Sequence, residues 1–265
     1  MSLTLNHDQI DRAAEALVGA RRSNTVIDGL PAGSEPRTLA DAYAVQDRFI
    51  ELLGLEVGGW YCACTNVEIQ RLLSLAEPYY ARLLLRDIKK SPATLRQADY
   101  PPMVVESEFA FRLRSDLPAR PASYTREDVM DAIESVHPAI EVVAGHLRDW
   151  PRQSVFAVIA DNGTDGALVY GESIIKDWRR LDLPGTEVRL YVNATEVRRG
   201  QGTNVLGDPL AAFVWLANAR SRVGAGLKAG QIHNTGTTTS IQAAAQGDHV
   251  KVDFIGLGTA EVVIV

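Results

Sequence analysis

Residues 104–111 read Val-Val-Glu-Ser-Glu-Phe-Ala-Phe, and this short run constrains the chain more than any other. On a strand, residues two apart share a face, so Glu106 and Glu108 project side by side while Phe109 and Phe111 point into apolar packing on the other face. Adjacent carboxylates repel, and burying one unpaired costs several kcal/mol. The run therefore fits one of two things: an amphipathic strand whose glutamates face water, or a strand that carries them to a cation. A second segment, His137 to Val143, sets Glu141 inside another apolar strand and favours the cation. Three carboxylates from two strands suit Mg²⁺ or Mn²⁺, which take oxygen ligands and keep positions open. Those positions accept a bidentate 2-oxo carboxylate, with the metal as Lewis acid for the developing enolate.

The rest of the chain narrows the class. A net charge of −6 and scattered basic pairs (Arg21-Arg22, Lys89-Lys90, Arg198-Arg199) argue against nucleic acid or an acidic membrane as partner. No apolar run reaches the ~18 residues of a membrane span, and the polar N-terminus does not read as a signal peptide. Cys62 and Cys64, one residue apart, are poorly placed for a disulfide and too few for structural zinc. A reduced, cytoplasmic protein is expected.

Helical spacing covers residues 8–22, 38–53 (with Thr38 as N-cap), 65–73 and 209–223. Strand patterns cover 104–113, 139–143, 155–160, 167–170, 187–192, 250–254 and 261–265. The expectation is an α+β chain, with a helical N-terminal region over 1–95 and a β-rich domain over 96–265 that carries the chemistry. Near the C-terminus, Asn234-Thr235-Gly236-Thr237 is either an ordinary Gly-Thr hairpin or a turn whose Gly236 amide and Thr237 hydroxyl reach a substrate carboxylate. Asp161-Asn162-Gly163 is a turn by default, and a polar pocket edge if it lies near the glutamates. Bland readings suffice for the four tryptophans, for His233 and for both cysteines, which lack a neighbouring base.

Taken in order, these segments resemble the fumarylacetoacetate hydrolase superfamily, in its 2-keto-4-pentenoate hydratase and 4-oxalocrotonate decarboxylase branch. The matching runs are 42–46, 65–73, Glu106-Ser107-Glu108, 138–143, Ala160-Asp161-Asn162, Gly207-Asp208-Pro209 with 215–218, 227–239, and Gly247-Asp248 with Gly256-Leu257-Gly258. The resemblance implies a mixed β-sandwich roll, a homo-oligomer (pentamer or decamer), and Mg²⁺ or Mn²⁺ on Glu106, Glu108 and Glu141. It makes Gln46, Thr65, Gly236 and Thr237 candidate substrate contacts, and Tyr61 and Asp161 candidate catalytic groups. Three positions depart from the family pattern: Tyr61 stands where the family has an active-site lysine, Tyr79 where it has an acidic residue, and His146 where it has an arginine. A tyrosine can donate or relay a proton but supplies no positive charge.

The function implied is a hydratase-type lyase acting on a small 2-oxo or 2-hydroxydienoic acid through a metal-stabilised enolate, in aromatic degradation. A decarboxylase or keto–enol tautomerase on the same scaffold is the alternative. A non-catalytic member partnering an active pathway paralogue is a third reading.

Overall fold

A computed structural model describes residues 2–100, 103–174 and 177–265. Helix α1 (His7–Ser23) opens on a capping box in which Asn6 and Gln9 satisfy each other's backbone amides, and it buries Ile10, Ala13, Ala14, Leu17 and Val18. Helix α2 (Leu39–Leu53) opens on the same device, Thr38 with Asp41, and stops at Gly54, whose left-handed φ of 66° closes the last turn. After them come β1 (Val57–Ala63), the short helix α3 (Val67–Leu72), β2 (Tyr79–Leu84), β3 (Ile88–Lys90) and β4 (Ala93–Leu95). The region 1–95 is therefore not purely helical. Its strand signal is weak in sequence because β1 starts with Val-Gly-Gly and β3 and β4 are three residues each.

The remaining elements are β5 (Val104–Leu113), α4 (Arg126–Ala132), β6 (Ile133–Val143), α5 (Val155–Ala160), β7 (Asp165–Tyr170), β8 (Glu187–Val192), β9 (Thr195–Gln201), α6 (Pro209–Arg222), β10 (Ile232–Thr237), β11 (Gln242–Ala243), β12 (His249–Phe254) and β13 (Gly258–Ile264). One expectation is overturned. Residues 155–160 form α5, not a strand, capped by the Ser154 side chain and packed on α2. A six-residue run of Val, Phe, Ala and Ile has no periodicity to separate strand from buried helix, and tertiary packing decides.

Two sheets result. The larger runs β2-β1-β10-β5-β6-β7-β3, with β11 also on β5; the smaller runs β4-β13-β12-β8-β9. Their facing surfaces interlock around Phe109, which meets Phe254 edge-on at 4.7 Å, and Phe111, which stacks on Phe213 of α6 at 5.2 Å. The other face of the large sheet curls on itself, bringing β2 against β7. Small and apolar side chains line that curl: Ala81, Leu83, Ala110, Ala139, Leu168 and Ile232, with Tyr61. A third core joins α1, α2 and α5. Among the described residues no helix is long and apolar enough to cross a membrane.

Candidate metal centre

Strand register builds the site. Antiparallel pairing sets Glu106 of β5 directly opposite Glu141 of β6, with Glu108 opposite Ala139 two positions on. By alternation all three glutamates share the curled face, where the neighbouring positions are alanine or leucine and leave room. Among the described residues, Glu106, Glu108 and Glu141 form a group whose ligand oxygens lie within 4.8 Å of one another. Glu108 and Glu141 are buried and Glu106 half-buried. Burial raises the pKa of all three, and repulsion within the set raises those of Glu106 and Glu141 further. Such a cluster is costly for a metal-free protein and suited to an oxygen-seeking divalent cation.

Strand β10 supplies the donors that hold it. The Gly236 amide donates to Glu108 Oε2 at 2.7 Å, and the Asn234 side chain donates from Nδ2 to Glu108 Oε2 and Glu141 Oε2, both at 2.8 Å. Residues 234–237 are not a hairpin turn but the end of β10, where the register on β5 shifts; Gly236 there has φ +103°, and a Cβ would lie 1.9 Å from Thr65 Oγ1, so this irregularity requires glycine and brings Thr65 beside it. Thr237 pairs with Glu108 in register and donates its hydroxyl to the Thr239 carbonyl at 3.0 Å. Of the expected contacts, Thr65, Gly236 and Thr237 thus gather around Glu108. Gln46 does not. Its Nε2 donates to the Ile159 carbonyl at 2.8 Å and its Oε1 accepts from Arg82 at 2.8 Å, tying α2 to α5 and β2.

Tyr61 sits in register with Asn234 on the curled face, only 2% exposed. Its hydroxyl donates to the Asn162 carbonyl at 2.6 Å, and burial with the Glu141 charge pushes its pKa well above 10.0. Tyr79 lies close by: a Cβ on Gly163 would touch both rings, at 2.5 Å from the Tyr61 hydroxyl and 3.0 Å from Tyr79. Asp161, the residue before this loop, caps α5 and accepts from the His146 amide at 2.8 Å. Burial raises its pKa to about 7 against the pull of Arg21 and that hydrogen bond.

Arg21 is the residue that sequence reading missed. It reaches from the last turn of α1 to ion-pair with Asp165, and its Nη1 donates to the Asp165 carbonyl at 3.0 Å. His146 is buried beside it, and burial with the Arg21 charge lowers its pKa to about 3, so it is neutral. A positive charge therefore stands beside His146 all the same, brought by Arg21 from α1. No spacing within the chain betrays that, since Arg21 sits 144 positions from Asp165.

His233 is a core residue. Its Nδ1 accepts from the Trp60 amide at 3.2 Å and its ring stacks on Phe213. Cys62 is buried with its pKa raised well above 9.0 by burial, and burial likewise raises that of Cys64 to about 11, so neither thiol is activated.

A curled mixed sheet holding two buried carboxylates and a half-buried third on its inner face, backed by a second sheet, defines an α+β roll with a candidate metal site. The family model for the fumarylacetoacetate (FAA) hydrolase C-terminal domain matches residues 90–265, and the chain belongs to that family. It is 32% identical to the 2-keto-4-pentenoate hydratase of Paraburkholderia xenovorans (strain LB400) over 259 residues, covering 95% of this chain and 93% of the relative. It is 30% identical to the 2-hydroxyhexa-2,4-dienoate hydratase of Comamonas testosteroni, covering 96% and 95%. The fold matches that of 4-oxalocrotonate decarboxylase from Pseudomonas putida G7, complexed with magnesium and adipate, with a TM-score of 0.90 over 100% of both chains at 24% identity.

Proposed function

We propose that the chain is a metal-dependent lyase of the hydratase type, adding water to a small 2-hydroxydienoic acid or its 2-oxo tautomer. The observation that carries this is the convergence of Glu106, Glu108 and Glu141 from β5 and β6, in a chain similar over nearly its whole length to dienoate hydratases. Mg²⁺ or Mn²⁺ fits the all-oxygen donor set and, when bound, supplies Lewis-acid polarisation of the 2-oxo group.

The protein's own groups do the rest. Gly236 and Asn234 hold Glu108 in one orientation. Thr65 beside it offers a hydroxyl to the substrate carboxylate, and Thr237 joins it by turning its hydroxyl away from the Thr239 carbonyl. In this reading Asp161, buried beside Arg21 and holding the His146 amide, carries the proton, the role that the family resemblance gives its position. Tyr61 serves it by fixing the 161–163 loop through the Asn162 carbonyl. The protein would act in the cytoplasm as a homo-oligomer, pentameric or decameric, in the breakdown of aromatic compounds.

A second reading is favoured by the engagement of the Tyr61 hydroxyl, which leaves fewer groups to activate water: keto–enol tautomerisation or decarboxylation of the same class of acid. One NMR time course in D₂O separates them, using 2-hydroxypenta-2,4-dienoate, Mg²⁺ and a Glu108→Gln control. A new oxygen substituent at C4, absent in the control, supports hydration. Deuterium entering C3 or C5 without water addition supports tautomerisation, no metal-dependent change refutes hydration and tautomerisation of this substrate, and decarboxylation is read separately as CO₂ release from a 2-oxo dicarboxylic acid.

A further inference from the structure

Asn234 is completely buried on β10, between two carboxylates that a metal site needs apart and ionised. Its amide group offers two protons and uses both, one on Glu108 Oε2 and one on Glu141 Oε2, each at 2.8 Å. The same orientation leaves its buried Oδ1 with no hydrogen-bond partner among the described residues. A buried acceptor without a donor is unfavourable, so an amide free to choose would turn. Turning it would press Oδ1 against two carboxylate oxygens, which repel it when both glutamates are ionised as metal ligands must be. The glutamates therefore dictate how the amide points, and the amide in turn fixes one oxygen of each.

We propose that Asn234 is a positioning residue of the metal centre, a neutral clamp that holds Glu108 and Glu141 in their ligating geometry before the cation arrives. This rests on the reading of the three glutamates as a metal site. With one oxygen of Glu108 and one of Glu141 tied to Asn234, the other oxygen of each is left for the cation together with Glu106. The Gly236 amide adds a second donor on Glu108 but none on Glu141, so Asn234 is the one side chain that donates to both glutamates among the hydrogen bonds of the described residues, on top of the backbone ladder that pairs β5 with β6.

The test is Mn²⁺ titration followed by electron paramagnetic resonance, on wild type, Asn234→Leu and Glu108→Gln, with circular dichroism to confirm folding. Losing an outer partner of metal ligands weakens affinity about 10–100-fold, so that rise in Kd is expected for Asn234→Leu, and a change below about threefold overturns the proposal. If the leucine variant fails to fold, Asn234→Ser, which keeps one donor, should show an intermediate loss; wild-type affinity there overturns the clamp. Wild-type protein that binds no Mn²⁺ overturns the metal reading and the clamp together. Normal wild-type binding with an unaffected leucine variant overturns the clamp alone.

Discussion

Replacing Asp161 by Asn should make the protein more stable and less active, and the gain should depend on pH in a set way. Burial raises the Asp161 carboxyl from 3.8 to about 7 in the native state. An acid whose folded pKa is raised carries no penalty below its unfolded pKa. The penalty grows as pH rises from 3.8 and levels off above about 7, where it reaches about 4 kcal/mol at 1.36 kcal/mol per pH unit. Asparagine carries no such penalty and can still accept the 2.8 Å bond from the His146 amide. Urea unfolding of the metal-free pair should therefore show the variant's advantage widening by about 3 kcal/mol between roughly pH 5 and pH 8. Turnover should fall about 10²–10⁴-fold if Asp161 carries the proton. An advantage that stays flat across this range, or a variant less stable throughout, would refute the reasoning.

Arg21→Gln leaves Asp165 buried without its partner and should destabilise by about 3–5 kcal/mol at pH 8. Because burial raises Asp165 to about 6, protonation should remove most of that loss below this pH, which denaturation at two pH values checks. Gly236→Ala, forcing a Cβ to 1.9 Å from Thr65 Oγ1, should cost Mn²⁺ binding in calorimetry even where the fold survives. Tyr61→Phe frees the Asn162 carbonyl and should lower stability by about 1–3 kcal/mol. Its kcat should change less than that of Asp161→Asn if the hydroxyl positions the loop. Chelation should lower the thermal midpoint of wild type, whereas Glu108→Gln, which removes one of the repelling carboxylates, should be indifferent to chelator.

The parts of the site legible in the sequence were those carried by local alternation. Glu106, Glu108 and Glu141 sit on strands with apolar neighbours, and period-two reasoning is enough to put them on one face. The strand-end glycine, Gly236, was visible because only glycine tolerates that backbone and approach. Asn234 lay within a segment already singled out, yet its role depends on pairing with Ala110 across the sheet, which no local pattern encodes. Arg21 was illegible for the same reason at longer range. The α5 segment failed differently: its side chains fit strand and helix alike, and the choice falls to α2 and to Gln46, which binds the Ile159 carbonyl. Gln46 lies in a run that matches the family, yet both ends of its side chain are committed to the scaffold.

The parallel pairing of β1 with β10 has a consequence for how the chain is made. Residues 57–63 find their partner only at 232–237, about 170 residues later, so at a synthesis rate of ~5–20 residues per second they wait roughly 10–30 seconds. During that wait β1 and β2 form a lone two-stranded ribbon bearing Trp60, Tyr61, Tyr79 and Tyr80, which is marginal in water. Removing them after synthesis would strip β10 of a neighbour and turn a buried inner strand into an exposed edge. A fragment beginning at residue 96 should aggregate even though it holds all three glutamates, because the sheet around them joins residues 57–63 to residues 232–237.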